Sequence, residues 1–254
     1  MWETLLLDVS EGIATITVNR PQQLNALNEQ MLRDIRGVAA HIRERNDIEV
    51  VIITGSGEKA FIAGADIAVM SELTSDEAQV FTKLGQDAMN DLANLEQPVI
   101  AAVNGYCLGG GNELALACDI RIAADTAKFG QPEVGFSILA SFGGTQRLPR
   151  LIGPGRAKYL LFSAEVIDAA KAFEFGLVEV VVPKAELMAA VYAYAKKITQ
   201  QQRFGVRQTK MCVNYGLDSN MATGLAYEVQ AYGLCYTKPA RTESMKAFLA
   251  KKKK

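Results

Sequence analysis

The chain has 254 residues, 49% of them hydrophobic, enough for one large domain or a domain with an appended helical segment, and too apolar for a disordered chain. Its 27 basic and 28 acidic residues leave a formal net charge of −1, which excludes a global field drawing it to nucleic acid or an anionic membrane. Four cysteines, at 107, 118, 212 and 235, show no CxxC spacing and no nearby histidine, so neither a zinc site nor a disulfide framework is indicated and a reducing cytoplasm fits.

The first residues, Met1-Trp2-Glu3-Thr4-Leu5-Leu6-Leu7-Asp8, lack a basic region and carry acids within the apolar stretch, which reads as a strand and not a signal peptide. No run approaches the roughly 18 to 20 apolar residues needed to span a bilayer. Residues 4–9 and 13–18 alternate apolar and polar around Ser10-Glu11-Gly12, predicting a β-hairpin that Arg20-Pro21 ends. Asn28 is placed to cap a helix with Glu29 in its first turn, and Met31, Leu32, Ile35, Val38, Ala39 and Ile42 follow at helical spacing. The single histidine, His41, falls on the surface of that helix. Ser-His-Asp, Cys-His and His-based metal chemistry are thereby set aside, leaving carboxylates, backbone and Tyr or Lys side chains.

A buried strand over residues 48–54 leads into Gly55-Ser56-Gly57-Glu58-Lys59-Ala60, which has the outline of a dinucleotide fingerprint. The continuation, Phe61-Ile62-Ala63-Gly64-Ala65-Asp66, argues against it by inserting an apolar, glycine-bearing turn where the fingerprint needs a helix. A surface turn covers Gly55 and Gly57. Ala65-Asp66-Ile67 predicts a helix start with Asp66 in the first turn, and hence a site of free backbone donors. From Thr74, Ala78, Phe81, Leu84, Met89, Leu92 and Leu95 mark an amphipathic helix.

Residues 98–103, Pro-Val-Ile-Ala-Ala-Val, form an apolar run without alternation, as for a strand covered on both faces. It is read as feeding Gly105-Tyr106-Cys107-Leu108-Gly109-Gly110-Gly111-Asn112-Glu113 and then a helix, so that bare backbone N–H groups stand where the helix dipole favours negative charge. Glu133 follows 20 residues after Glu113, behind Phe129-Gly130-Gln131-Pro132. Two carboxylates and a backbone anion site are the parts of an acid/base enzyme. Taken singly, Glu113 also reads as a first-turn acid satisfying a helix dipole, and Glu133 as a loop acid in a salt bridge. Residues 135–148 read as a loop and 149–155 as a turn-rich link; segments 157–162 and 168–175 and a strand over 177–182 follow. Helices near 185–200, 203–215, 218–235 and 239–250 carry apolar stripes too broad for solvent, predicting cover for the core or an oligomer interface. Residues 251–254, all lysine, read as a solvated tail.

Several of these stretches, in this order, resemble the crotonase, or enoyl-CoA hydratase/isomerase, superfamily over nearly the whole chain. They are Asn19-Arg20-Pro21 with Leu24-Asn25-Ala26-Leu27, Phe61-Ile62-Ala63-Gly64-Ala65-Asp66-Ile67, the run from Pro98 through Glu113, Cys118-Asp119-Ile120-Arg121-Ile122-Ala123, Phe129-Gly130-Gln131-Pro132-Glu133, and Gly143-Gly144-Thr145-Gln146-Arg147-Leu148. Within the superfamily the likeness runs to bacterial short-chain enoyl-CoA hydratases. The resemblance implies an α/β fold: a crotonase-like spiral of ββα repeats over residues 1–190, carrying the active site, and a helical C-terminal region over 191–254 for trimerisation and site covering. It implies a homo-oligomer, a hexamer formed as a dimer of trimers, an acyl-CoA substrate, and no cofactor, coenzyme A being part of the substrate. No metal, nucleic-acid or membrane partner is expected, and the location is cytoplasmic.

Carried over by residue, the resemblance makes the N–H groups of Ala65 and Gly110 an oxyanion hole for the thioester carbonyl. Glu113 is the carboxylate that activates water for attack at Cβ, and Glu133 exchanges the proton at Cα. Ala26 and Lys59 border the nucleotide portion of coenzyme A; Ala63, Asp66, Ile67, Ala68 and Ser141 border the acyl-thioester. Phe248 is within reach of a neighbouring subunit's site. Two readings remain beside hydration: an isomerase or hydrolase using Glu133 alone, and an RNA-binding member, which the charge balance disfavours.

The chain departs from the family after Gly135. Ser137 and Ser141 stand where glycines are usual, and Ala140 where proline is, with the loop length preserved. Either serine at positive φ costs on the order of 1 kcal/mol or shifts the loop. The added hydroxyls also open the acyl pocket to a polar acyl group.

Overall fold

Alternation in the first 18 residues produces the hairpin it predicts. In a computed structural model describing residues 2–251, β1 (Leu5–Ser10) pairs antiparallel with β2 (Ile13–Val18). Met1 and Lys252, Lys253 and Lys254, and with them most of the lysine tail, lie outside the described residues. Asn28 Oδ1 accepts the Met31 N–H at 2.9 Å and so starts α1 (Glu29–Glu44), which buries Met31, Leu32, Ile35, Val38, Ala39 and Ile42. His41 stays on its exposed side, edge-on to Trp2.

The chain then makes three turns of one pattern: a buried strand, a short strand set off to the side, and a helix. The first comprises β3 (Val50–Gly55), β4 (Ala60–Ile62), the single-turn α2 (Ile67–Met70) and α3 (Ser75–Ala93), the last begun by a capping box between Thr74 and Glu77. The second comprises β5 (Val99–Val103), β6 (Tyr106–Leu108) and α4 (Gly110–Ala117). The third comprises β7 (Ile120–Ala124), β8 (Lys128–Gly130) and α5 (Gly144–Ile152). Then come α6 (Pro154–Ser163), β9 (Val166–Asp168), α7 (Ala169–Phe175), β10 (Val180–Val182), α8 (Leu187–Thr199), α9 (Arg203–Leu217), α10 (Met221–Cys235) and α11 (Pro239–Lys251).

The long strands build a six-stranded sheet, ordered β1-β2-β3-β5-β7-β10 and parallel beyond the first pair; the short ones build a second sheet, β4-β6-β8-β9, antiparallel only at β9. Every residue of β3 and β5 is buried, as unbroken apolar runs require of strands covered on both faces. This is the expected spiral of ββα repeats. α8 runs across residue 190, with Val191 and Ala195 in the main core. No helix among the described residues is long and apolar enough to cross a membrane.

Four readings of local structure need correction. Gly55, assigned to a surface turn, is the buried last residue of β3, where a Cβ would stand 2.4 Å from the carbonyl oxygens of Ala60 and Phe61; of the two glycines only Gly57 is exposed in the turn. The strand leading to the glycine run is β6, not the apolar run of β5; the chain changes sheets at Asn104-Gly105, and three residues are too few for alternation to register. Residues 144–152, read as loop and link, are helical, with Pro149 inside α5. Burial of Gly144, Leu148 and Ile152 outweighs the one backbone bond that the proline removes. Asp66 stands just before α2 and leaves it uncapped, because its side chain turns to Arg20.

Two buried cations fix the surroundings of α4. The Arg121 guanidinium donates to the carbonyls of Cys118 at 2.9 Å and Ala115 at 3.3 Å, satisfying the helix's last turn, and to that of Leu177 at 2.9 Å. Lys210 of α9 donates to the Gln97 carbonyl at 2.9 Å and pairs with Asp119 at 2.8 Å, while the other end of this region stays apolar and open. Leu217, Met221 and Val229 are 75%, 77% and 67% exposed.

Candidate active site

β4, β6 and β8 are parallel neighbours, so their C-terminal ends share one edge of the small sheet, the usual place for a site in such folds. Ala65 follows the end of β4 by three residues, Gly110 follows β6 by two, and Glu133 follows β8 by three.

The first two deliver backbone donors. Leu27 N–H donates to Gly64 O at 2.9 Å and Asp66 N–H to Leu27 O at 2.8 Å. The residue between points its own N–H the opposite way, as extended backbone must. Gly110 opens α4, whose first N–H groups have no partner within the helix. Among the described residues neither the Ala65 nor the Gly110 N–H has a hydrogen-bond acceptor. The residues before them run close together: a Cβ added to Gly109 would stand 3.7 Å from the Gly64 Cα. Gly109, at φ +49° and ψ −123°, has a conformation closed to side-chain-bearing residues, and a Cβ there would come within 2.9 Å of Glu133 Oε1. The glycine makes the turn and leaves room for the acid.

Glu113, in the first turn of α4, is 2% exposed, and its Oε1 accepts the Gly144 N–H at 2.7 Å. Burial pushes its carboxyl up to about 8, with the neighbouring Glu133 charge adding to the rise and the Gly144 and Phe142 backbone bonds and Arg147 opposing it. Glu133, in a 3-10 turn at Pro132–Phe136, is partly buried and raised to about 6 by the same loss of water. Buried Gln131, with its amide nitrogen turned to Glu133, donates to Oε1 at 3.0 Å and Oε2 at 3.2 Å and accepts from Asn112 Nδ2 at 3.3 Å. Two acids with unequal raised affinities for a proton, beside two unpaired backbone donors, can pass protons to and from a substrate whose carbonyl gathers charge.

The other anticipated residues fall into two groups. Ala63 donates its N–H to Leu24 O at 3.1 Å, Ala26 O accepts from Arg20 Nη1 at 2.5 Å, and Asp66 pairs with Arg20 at 3.3 Å, so these three are bound into the backbone around the donors. Ile67 and Ala68 are exposed on α2 beside them. Lys59 is exposed just before β4; its carbonyl accepts the Tyr106 N–H at 3.0 Å, and no contact brings its side chain to the two acids. Ser141 is held by α3, its carbonyl accepting from Gln86 at 2.9 Å and its hydroxyl lying 3.4 Å from that of Thr82.

Gly144, Gln131, Asn112 and Arg20 carry parts of this arrangement for which no role was read from the sequence. Gln131 had a local signal, two residues before Glu133 behind a proline. Gly144 had none, because its partner lies 31 residues away in sequence.

Comparison with known proteins follows the same outline. Residues 8–254 match the family model described as Enoyl-CoA hydratase/isomerase. The chain is 47% identical over 252 residues to a crotonyl-CoA hydratase of Syntrophomonas wolfei, covering 99% of this chain and 97% of the relative. It is 45% identical over 249 residues to a short-chain-enoyl-CoA hydratase of Clostridium acetobutylicum, covering 98% and 95%. The crystal structure of an enoyl-CoA hydratase from Bacillus anthracis superposes with a TM-score of 0.95 at 40% identity, covering 98% of this chain and 97% of that one.

Proposed function

From the premise that the chain belongs to the enoyl-CoA hydratase/isomerase family, we propose the course of its reaction and the residues that carry it. The activity is hydration of enoyl-CoA, a hydro-lyase reaction. The substrates are short-chain trans-2-enoyl-CoA thioesters, a reading supported by the names of these two relatives. The observation that carries the mechanism is the convergence of one buried and one partly buried acid with two unpaired N–H groups, those of Ala65 and Gly110.

In hydration, water oxygen bonds to Cβ while Glu113 takes one of its protons. The π pair moves toward the thioester oxygen, where the Ala65 and Gly110 N–H groups receive the charge, each such donor contributing roughly 3 kcal/mol. The pair then returns to form the Cα–H bond with the proton of Glu133. Both protons are handled on one face, so addition is syn. At neutral pH the resting proton belongs on Glu113, the more strongly raised acid, with Glu133 ionised. That form begins the reverse reaction, in which Glu133 takes the Cα proton and Glu113 protonates the departing hydroxyl; hydration starts from the other distribution of the same proton.

Ala26 and Lys59 border the coenzyme A nucleotide, and Ala63, Asp66, Ile67, Ala68 and Ser141 the acyl-thioester. No cofactor beyond the substrate's coenzyme A takes part, and the setting is cytoplasmic fatty acid metabolism. Residues 191–254 cover the site and form a trimer, two of which make a hexamer; the exposed apolar side chains of α9 and α10 support this.

The test follows the loss of conjugated-enoyl absorbance with crotonyl-CoA. Glu113→Gln and Glu133→Gln are each expected to lower the rate at least about 100-fold. Hydration surviving in Glu113→Gln would remove the proposed base and favour isomerisation through Glu133 alone.

A further inference from the structure

Arg147 occupies an unfavourable place. It is the fourth residue of α5, where the helix dipole opposes a cation, it is half-buried, and among the described residues it forms no ion pair. Burial lowers its proton affinity from the usual value, yet a guanidinium stays charged at any working pH. Its contacts indicate what offsets this cost. The side chain folds back over Gly143, where a Cβ would stand 2.2 Å from Nη1, and Nη1 donates to the Phe142 carbonyl at 3.2 Å. Nη2 donates to Asn90 Oδ1 of α3 at 2.6 Å. The turn gripped in this way, Phe142-Gly143-Gly144, is the one whose last N–H holds Glu113. The titratable groups facing Arg147 are Glu113 on α4, Cys118 at the end of α4 and Asp218 after α9; those facing Glu113 are Arg147 and Glu133.

We propose that Arg147 is a positioning residue for hydration, acting through Glu113: it clamps the turn that donates to this carboxylate and supplies the positive charge against which Glu113 ionises. The inference rests on the assignment of Glu113 as the base. Glu113 must be an anion to accept a proton from water, and its side chain is almost wholly buried beside a second acid. Arg147 is the one cation that faces it among the described residues, and its planar fork holds the carbonyl and the Asn90 amide at once through two separate nitrogens in fixed geometry.

The experiment compares wild type with Arg147→Met and Arg147→Lys, using pH profiles of kcat/KM for crotonyl-CoA and the carboxyl titration of Glu113 by 13C NMR of glutamate-labelled enzyme, assigned with Glu113→Gln. In Arg147→Met the acidic limb and the Glu113 titration should both move up together, as expected when a facing opposite charge is lost. Its kcat should fall at least about 10-fold at neutral pH, with KM changed less than about 3-fold. Arg147→Lys, which keeps the charge, should restore the titration to within about half a unit. If the Met variant melts lower but its limb and its carboxyl titration coincide with wild type, Arg147 is only a structural clamp and the proposal fails. Arg147→Gln serves the same comparison should the Met variant not fold. A wild type that hydrates no enoyl-CoA would overturn the functional reading alone, and the carboxyl titration would still decide the role of Arg147.

Discussion

Gly144 and Glu113 meet at 2.7 Å, N–H to Oε1, and the same glycine turns its α-carbon to the acid so closely that a Cβ would stand 2.9 Å from Oε1 and 2.9 Å from the Ala140 Cβ. Gly144→Ala is therefore expected to displace the carboxylate while leaving the helix intact. The measurable outcome is a fall in kcat of about tenfold or more, corresponding to about 1.4 kcal/mol of lost transition-state stabilisation. Unchanged kcat with crotonyl-CoA would mean that Glu113 does not need this contact.

The two acids also give stability a pH dependence of definite sign. Unfolded, both carboxyls titrate near 4.5; folded, Glu133 is raised to about 6 and Glu113 to about 8. Between those limits the folded chain holds protons that the unfolded chain has released, so this contribution is fully present below about 4.5 and is lost as pH rises to 8. Urea midpoints should fall over that range. Glu113→Gln, neutral throughout, should flatten the decline and unfold at a higher urea concentration than wild type at pH 8; a lower midpoint there would contradict this account.

Ser137 and Ser141 separate cleanly. Ser137 has φ +58° and ψ +28° at the end of the 3-10 turn, whereas Ser141 is not at positive φ. Ser137→Gly should thus relieve strain and raise stability by roughly 0.5 to 1 kcal/mol, or a melting temperature gain of about 1 to 3 °C. Ser141→Gly should show no such gain in the same scan.

Lys210 reaches from α9 to Asp119 at 2.8 Å and is 8% exposed. Lys210→Met removes the ammonium and leaves the carboxylate with the Val99 N–H as its remaining donor. The expected loss is about 1 to 3 kcal/mol in urea denaturation, below the figure for a fully buried pair because the Asp119 side chain keeps some contact with water. A loss under about 1 kcal/mol would class this contact with surface pairs.

Light scattering should give a mass about six times the 27.5 kDa of one chain. Val229→Glu, on the exposed apolar side of α10, should reduce it, since a carboxylate in a buried interface is left unpaired. A monomeric wild type would remove the assembly from the proposed function.

What the sequence discloses depends on the range of the interaction. Asn28 capping α1 and Thr74 boxing with Glu77 are local and readable. The long strands β3 and β5 declare themselves by unbroken apolar runs, while β6, β8 and β9, at three residues each, are too short to carry a period. Pro149 argues for a helix end, and only the tertiary burial of Leu148 and Ile152 overrules it. In the site, the acids and glycines stand out as residue types. Their supports do not: Gly144 opposite Glu113 and Arg20 across Ala26 and Asp66 join positions whose separation has no period.

Three parallel strands of the small sheet end on one edge, and each is followed within two or three residues by a group of the proposed site. Chain length there acts as a ruler. One residue inserted between Ile62 and Ala65, between Leu108 and Gly110, or between Gly130 and Glu133 would advance one group by about 3.3 Å relative to the other two, more than a hydrogen bond tolerates. Changes of length are thus confined to connections elsewhere, such as the one before Thr74, and homologues that keep the chemistry should differ in length there while holding these three spacings constant.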